Sequence, residues 1–194
     1  MKTLVLATKA PWPPLDGGRL LLLHTLEGLA EAGHRVALVA PVDPERFELG
    51  AVASALRPLC EPHLVAARPA GRLATLARAV GREMPFSVSR HRLAAVRREM
   101  DRLLAAETFD LIHAEQLQAL PDPFPAGTPV VLRAQNVESD LWRATARQRR
   151  GARRAIGALL AVEAGRLGRW EGRAVREAAA TLALTAEDAA RLAT

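Results

Sequence analysis

Short apolar runs alternate with helical stretches along almost the whole 194-residue chain. The apolar runs, each of the length of a buried strand, are 3–7, 34–40, 64–67, 109–113, 130–133 and 181–184. The helical stretches between them are 19–32, 44–59, 73–83, 89–107 and 138–179. This alternation predicts an α/β fold, with a Rossmann-like, doubly wound and mainly parallel sheet flanked by helices.

Local signals mark the ends of the first helices. Leu22, Leu26 and Leu29 share one face of the first helix, and Gly33 is typical of the residue that follows a helix. A proline at the first helical position predicts that the second helix begins at Pro44.

The last third of the chain is expected to be interrupted. Five glycines between 151 and 172 predict that the stretch 138–179 breaks or kinks. Thr185 and Asp188 resemble a capping box that begins a last helix shortly before Thr194. We therefore expect one Rossmann-like domain over 1–184, with 185–194 as the start of a helix that leads to a further domain.

The composition is that of a globular protein. Apolar residues make up 49% and charged residues 25%, and no apolar run approaches the roughly 20 residues of a membrane-spanning helix. The N-terminus lacks the apolar core of a signal peptide, so we expect a cytoplasmic location. The single cysteine, Cys60, excludes an internal disulfide and a cysteine-based zinc site, and we expect it to be buried.

The basic residues are almost all arginines. Of 27 lysines and arginines only Lys2 and Lys9 are lysines, and the net charge of +6 permits an acidic partner such as phosphate, anionic lipid or nucleic acid. The spacing predicts that two sets of arginines each share a helix face: 143, 147, 150 and 154, and 166, 169, 173 and 176. They form either a solvated face or a patch for an anionic membrane surface or substrate. The lack of interleaved aromatic residues argues against single-stranded nucleic acid, and we expect no nucleic-acid partner.

Three polar clusters directly follow predicted strands, where open parallel sheets bind their ligands. In the first, Gly17 and Gly18 precede a helix, which allows close backbone approach and offers free N–H groups to an anion. The alternative is a tight turn. The chain has no P-loop and no G-x-G-x-x-G motif, which are the main sequence signatures of simple NTPases and of dinucleotide-binding proteins, so neither function is indicated.

The other two clusters carry imidazole, carboxylate and amide groups. Alternation along a strand predicts that His113 and Glu115 point the same way; the alternative is a hydrogen-bonded histidine and a solvated glutamate. Gln116, Gln135 and Asn136 offer donors and acceptors that suit a hydroxyl-rich ligand. The alternative role of Asn136 is to cap the helix that follows it.

In this order, the clusters resemble the N-terminal half of glycosyltransferase family 4, retaining enzymes of the GT-B fold. The likeness covers essentially the whole chain. The matching segments are 11–18 and 33–36 (the family's P-x-P-x-x-G-G and G-H-x-V), 109–113 (D-x-[IV]-H), 133–138 (R-x-H-N-x-E of one bacterial branch), 167–171 (R-[YW]-E) and 182–188 (a strand ending in S-x-x-D).

The resemblance implies the acceptor-side domain of a hexosyltransferase-type enzyme that moves a sugar from a nucleotide-sugar donor to a glycan or lipid-linked acceptor. The second domain would hold most of the donor, so this chain alone would be inactive. Gly17, Gly18 and Arg19 would bind the donor diphosphate, and His113 would take the catalytic position. The sugar or acceptor would contact Asp16, Glu115, Gln116, Gln135, Asn136 and Glu138. No metal and no cofactor is implied.

Two positions depart from the family pattern. Gln135 stands where that branch has histidine, and Glu115 stands where many members have a second histidine. Gln135 cannot titrate, so we expect it to hydrogen-bond sugar rather than move protons. Family 4 enzymes are commonly described by a front-face route assisted by the leaving phosphate, so we assign no nucleophile and expect catalysis by positioning and charge stabilisation.

Two other functions remain open. The chain could be a non-enzymatic Rossmann-like module that binds anions or a membrane surface through its arginines, which would place it at the inner face of the membrane. It could also be a small α/β enzyme complete in itself, although it lacks a nucleophile elbow, a P-loop and a dinucleotide fingerprint.

Overall fold

Six parallel strands form one sheet in the order β3-β2-β1-β4-β5-β6. The computed structural model describes residues 1–69, 71–81, 84–149 and 154–193. Its strands are β1 (Lys2–Leu6), β2 (Arg35–Val42), β3 (Glu61–Ala66), β4 (Leu111–Glu115), β5 (Val130–Ala134) and β6 (Ala180–Ala183). This strand order is that of a Rossmann-like fold, which confirms the predicted fold class.

Helices on both faces of the sheet connect successive strands, except that the connection from β4 to β5 contains only a 3₁₀ turn. They are α1 (Gly17–Glu31), α2 (Leu49–Leu56), α3 (Arg72–Gly81), α4 (Phe86–His91), α5 (Ala94–Ala106), α6 (Glu138–Arg147), α7 (Arg154–Glu177) and α8 (Ala186–Leu192), with a 3₁₀ turn at Leu117–Ala119. Within the described ranges, none of these helices has an apolar stretch that could span a bilayer.

Alternate residues of β1 pack into two separate hydrophobic cores, one on each face of the sheet. Leu4 and Leu6 pack on the face covered by α5 and α7, whereas Val5 packs on the face covered by α1 and α2. Because successive side chains of a strand point to opposite faces, a strand buried on both sides needs the continuous apolar run that the sequence has here. The layered arrangement leaves the carboxyl ends of the strands free for a ligand.

Several local predictions are confirmed. Leu22 and Leu26 of α1 are buried, and Gly33 has the left-handed φ of +76° that ends this helix. Cys60 is buried, and burial raises the pKa of its thiol to about 12. The hydroxyl of Thr185 accepts a hydrogen bond from the amide of Asp188, as the capping box predicts.

The prediction of a helix from Pro44 is wrong. The carbonyl of Asp43 accepts hydrogen bonds from the amides of Arg46 and Phe47, so a turn follows β2 and α2 begins only at Leu49. The carboxylate of Glu48 caps α2 by accepting from the amides of Gly50 and Ala51. Asp43 satisfies this turn instead of a helix end.

Both long helical stretches are interrupted, but only the break in the second was predicted. The stretch 89–107 forms two helices, α4 and α5, separated at Arg92 and Leu93. The stretch 138–179 breaks after Arg147, as expected, but α7 continues through the glycines at 157, 165, 168 and 172, and Gly151 lies outside the described residues. Arg143 and Arg147 are therefore on α6 and Arg154 is on α7, so the first arginine set does not share one helix face; Arg150 lies outside the described residues.

Candidate functional site

The strand order places a crevice at the carboxyl ends of β1 and β4. The chain leaves β1 towards β2 on one side and leaves β4 towards β5 on the other, and this switch point is where open α/β sheets bind ligands. Thr8 follows β1, Gln116 follows β4 and Gln135 follows β5. The topology thus gathers three residues that are far apart in sequence.

Hydrogen bonds join these three residues into one chain of contacts. The hydroxyl of Thr8 donates to Oε1 of Gln116 over 3.0 Å, and Nε2 of Gln116 donates to Oε1 of Gln135 over 2.8 Å. Nε2 of Gln135 then donates to Oε1 of Glu115 over 2.6 Å. Each amide gives one bond and accepts one, which fixes its orientation and leaves its second N–H for a ligand.

The backbone of Gln116 is strained. Its φ of +78° and ψ of +154° lie in a region that glycine occupies almost alone. Such a conformation costs on the order of 1–3 kcal/mol and is typical of functional sites. Its amide donates to the carbonyl of Arg133 over 3.0 Å, which together with the side-chain bonds to Thr8 and Gln135 holds the strained turn.

A buried ion pair lies beneath the two amides. Glu115, which is 3% exposed, accepts hydrogen bonds from Arg133 at 2.9 and 3.1 Å, and its other oxygen lies 3.1 Å from Nε2 of His113. Burial acts to raise the pKa of Glu115, but the hydrogen bonds from His113 and Arg133 outweigh it and hold the pKa below its usual value. The carboxylate therefore stays ionised and anchors Gln135.

The predicted common direction of His113 and Glu115 is confirmed, and the alternative of a solvated glutamate is wrong. His113 is only 6% exposed, so it supports the site from below and is not open to a ligand. The catalytic position expected for His113 stays a prediction. Its geometry favours a positioning role through Glu115.

The start of α1 faces the amide pair. The carboxylate of Asp16 accepts from the amide of Arg19, and the carbonyl of Asp16 accepts from the amide of Leu20. The amides of Gly17 and Gly18 have no acceptor among the described residues, as expected for the first turn of a helix. The glycine amides therefore remain for an anion.

Gly18 is the point of closest approach. A Cβ at Gly18 would lie 3.3 Å from Oε1 of Gln135 and 3.6 Å from Nε2 of Gln116, whereas one at Gly17 would meet no atom of the described residues within 4 Å. A larger side chain at Gly18 would therefore push against both amides. Because Gly18 has no side chain, the start of α1 lies directly beside the side-chain amides of Gln116 and Gln135, and the two form one continuous surface.

Basic groups offset the acidic residue at this helix start. Lys9 pairs with Asp16 at 2.7 Å and Arg19 pairs with it at 3.3 Å. Burial acts to raise the pKa of Asp16, but the hydrogen bond from Lys9 and that from the Arg19 amide lower it overall. Two cations against one carboxylate leave the α1 start electropositive.

Two cavities open at this edge of the sheet, and both are lined by Thr8, Pro41 and His91. One, of about 360 Å³, lies between α4, α5 and the loop at 118–122 and is mostly apolar. The other, of about 370 Å³, is lined by Lys9, Arg19 and Arg46. Both have the size of a small-ligand site. Burial lowers the pKa of His91, which favours its neutral form between the cavities.

The start of α6 is capped from another helix. Asn136 is exposed and does not cap α6: its N-cap is Val137, with no side-chain bond. The carboxylate of Glu171 on α7 instead accepts from the amides of Glu138 and Ser139. The capping role considered for Asn136 is therefore wrong, and the exposed amide remains available to a ligand.

The side chain of Glu138 is a half-buried carboxylate that lies near Gln118 and Glu171. Burial raises its pKa, and the nearby charge of Glu171 adds to the rise, although a hydrogen bond from Gln118 opposes it. Sequence reasoning gave no site role to Thr8, His91, Gln118 or Glu171, although Glu171 lies in the segment 167–171 that resembles R-[YW]-E. Their signals are weak, because each is an ordinary polar residue whose position depends on the sheet order.

The second arginine set is not uniformly solvated. Arg166 donates to the carbonyls of Ala79 and Met84 and so ties α7 to α3 and to the residue before Pro85. Arg173 stacks on Trp170 at 4.3 Å, while Arg169 and Arg176 are exposed. The interpretation as a solvated face is therefore wrong for Arg166.

Within the described ranges, no three His, Cys, Asp or Glu side chains lie close enough together to bind a metal ion. No protein-family model and no curated protein sequence matches the chain. The resemblance to glycosyltransferase family 4 therefore stays a prediction.

Proposed function

We propose that the chain is the acceptor-binding half of a retaining glycosyltransferase, which moves a sugar from a nucleotide-sugar donor to a glycan or lipid-linked acceptor. The observation that carries the proposal is the strained residue Gln116, held by Thr8 and Gln135 directly beside Gly18. A strained backbone at a sheet switch point is typical of a ligand site.

The groups at this edge suit the two parts of a sugar nucleotide. The free amides of Gly17 and Gly18, with Arg19, offer hydrogen bonds and positive charge to a diphosphate. The amides of Gln116, Gln135 and Asn136 offer both donors and acceptors to sugar hydroxyls. The two adjoining groups of donors support a ligand that combines an anion with a polyol.

The chemistry needs no nucleophile from this chain. Charge that develops on the leaving diphosphate would be stabilised by the helix start, and the amides would hold the sugar against the acceptor. The mostly apolar cavity next to Thr8 supports an acceptor with an apolar portion. A second domain would supply the rest of the donor site.

A titration followed by two-dimensional ¹⁵N NMR tests the proposal on the chain as it is. The probes are inorganic pyrophosphate and a panel of nucleoside-diphosphate sugars, since weak binding is measurable this way. We expect the largest shifts at the amides of Gly17, Gly18, Gln116 and Gln135 with sugar nucleotides. The same shifts should disappear in Gly18→Val.

The control is Gly28→Ala, on the same helix, where an added Cβ meets nothing within 4 Å in the described part of the chain. It should keep the wild-type shifts. Shifts centred elsewhere, or unchanged in Gly18→Val, would contradict the proposal. Equal shifts with pyrophosphate and with every sugar nucleotide would favour the alternative function, a non-enzymatic anion-binding module, which the three cations around the second cavity also suit.

A further inference from the structure

Helices α6 and α7 form an antiparallel hairpin that overhangs the sheet. Glu171 lies at the level of the first residues of α6, and Gly157 packs against the carbonyl of Ala146 near the other end. With 24 residues, α7 is about 36 Å long, whereas the five residues of β5 span about 17 Å. The hairpin therefore extends past the carboxyl edge, where the candidate site lies. We call residues 141–149 and 154–162 the hairpin tip.

The hairpin tip is strongly basic. Between Asp140 and Glu163 the sequence contains six arginines and no acidic residue. Arg147, Arg149 and Arg154 are exposed, and none of them pairs with a carboxylate among the described residues. Arg143 differs, since it pairs with Asp140 at 2.8 Å. The tip thus presents free guanidinium groups to an anionic partner.

The same tip exposes large aliphatic side chains. Ile156, Leu159 and Val162 are 53%, 68% and 65% exposed, and their spacing of three places them on one side of α7. Leu141 of α6 is 48% exposed. The segment 155–162 contains no charged residue. Neighbouring aliphatic and cationic surfaces are the combination that interfacial helices use.

We propose that the hairpin tip docks onto an anionic lipid bilayer, with its arginines at the lipid phosphates and with Ile156, Leu159 and Val162 inserted at the interface. Charge complementarity selects this occupant. A second copy would bring an equally basic tip, and a nucleic acid would leave the aliphatic side chains without a partner. This inference does not depend on the proposed sugar transfer. It would hold the carboxyl edge of the sheet close to the membrane.

Vesicle co-sedimentation tests the proposal, with phosphatidylcholine vesicles that contain or lack phosphatidylglycerol. We expect binding only to the anionic vesicles, weakening as sodium chloride is added. Each arginine near an anionic surface contributes about a fivefold gain in affinity, so Arg147→Gln/Arg149→Gln/Arg154→Gln should weaken binding about a hundredfold. Ile156→Ser/Leu159→Ser/Val162→Ser should also weaken it, without changing the net charge.

The matched control is Arg98→Gln/Arg169→Gln/Arg176→Gln, which removes the same charge from exposed positions outside the tip. It should bind nearly as well as the wild type, and circular dichroism melts check that all variants fold. No binding to anionic vesicles, equal binding to neutral ones, or an equal loss in the control would overturn the proposal. A second result would also overturn it: a wild type that does not bind vesicles but forms a dimer by light scattering, with the dimer lost in Ile156→Ser/Leu159→Ser/Val162→Ser.

Discussion

The carboxylate of Glu171 accepts a hydrogen bond of 2.8 Å from the backbone amide of Glu138, 33 residues earlier in the chain. The same carboxylate accepts from the amide of Ser139. One helix thereby caps the start of another, and the contact fixes the hairpin relative to the loop that carries Gln135 and Asn136. This contact therefore ties α7 of the hairpin to the edge of the candidate site.

Glu171→Ala should destabilise the protein by about 1–3 kcal/mol, because it leaves the amides that begin α6 without their acceptor. Urea unfolding followed by circular dichroism measures the loss. Glu177→Ala, on the same helix, removes an exposed carboxylate 3.9 Å from Arg173 and should cost less than about 0.5 kcal/mol. Equal effects of the two variants would show that the cap contributes nothing.

Glu138→Gln should raise stability at neutral pH. Burial, with the charge of Glu171, raises the pKa of Glu138 in the folded state, so its ionised form is less favoured there than in the unfolded chain. The resulting loss of folding stability is absent at pH values below the pKa of Glu138 in the unfolded chain. It is fully present at pH values above the pKa of Glu138 in the folded protein. The melting temperature should therefore rise by roughly 1–3 °C at pH 8 and stay unchanged at pH 3. A gain of the same size at both pH values would contradict this cause.

Arg133→Met should be among the most destabilising changes, at about 3–5 kcal/mol, because it leaves the carboxylate of Glu115 buried without its cation. Combining it with Glu115→Gln should recover a large part of the loss, since no unpaired charge then remains. Unfolding of the two single variants and the double variant gives the coupling energy. Additive losses would contradict the ion pair.

Gln116→Gly should stabilise the fold by roughly 1 kcal/mol and weaken ligand binding at the same time. Glycine adopts φ of +78° without strain, but it removes the amide between Thr8 and Gln135. Thermal melts and the NMR titration measure the two effects separately. A destabilised variant with unchanged binding would show that Gln116 neither strains the fold nor contributes to ligand binding.

The sequence predicted the sheet and its ligand edge because each depends on local signals. Continuous apolar runs mark strands buried on both faces, and Gly17, Gly18 and the amides follow those strands directly. The helix predicted from Pro44 failed because Asp43 satisfies a turn as well as it would a helix start. Local propensity does not decide between these two uses of the same residue.

The supports of the site depend on tertiary contacts, which the sequence did not predict. Glu171 caps a helix that begins 33 residues earlier, and Thr8 reaches Gln116 across 108 residues. The strained backbone of Gln116 could not be predicted from the sequence either, because this conformation is typical of glycine and not of glutamine. These contacts appear only once the strand order is known.

The most direct measurement is the release of nucleoside diphosphate from a panel of sugar nucleotides, with water as the acceptor of the sugar, by the product of the whole reading frame that contains these 194 residues. We predict release by the wild type and by Gly28→Ala, and at least about a tenfold lower rate for Gly18→Val, whose side chain would push Gln116 and Gln135 out of place and keep the diphosphate from approaching the helix start closely. No release from any sugar nucleotide, or an unchanged rate in Gly18→Val, would contradict it.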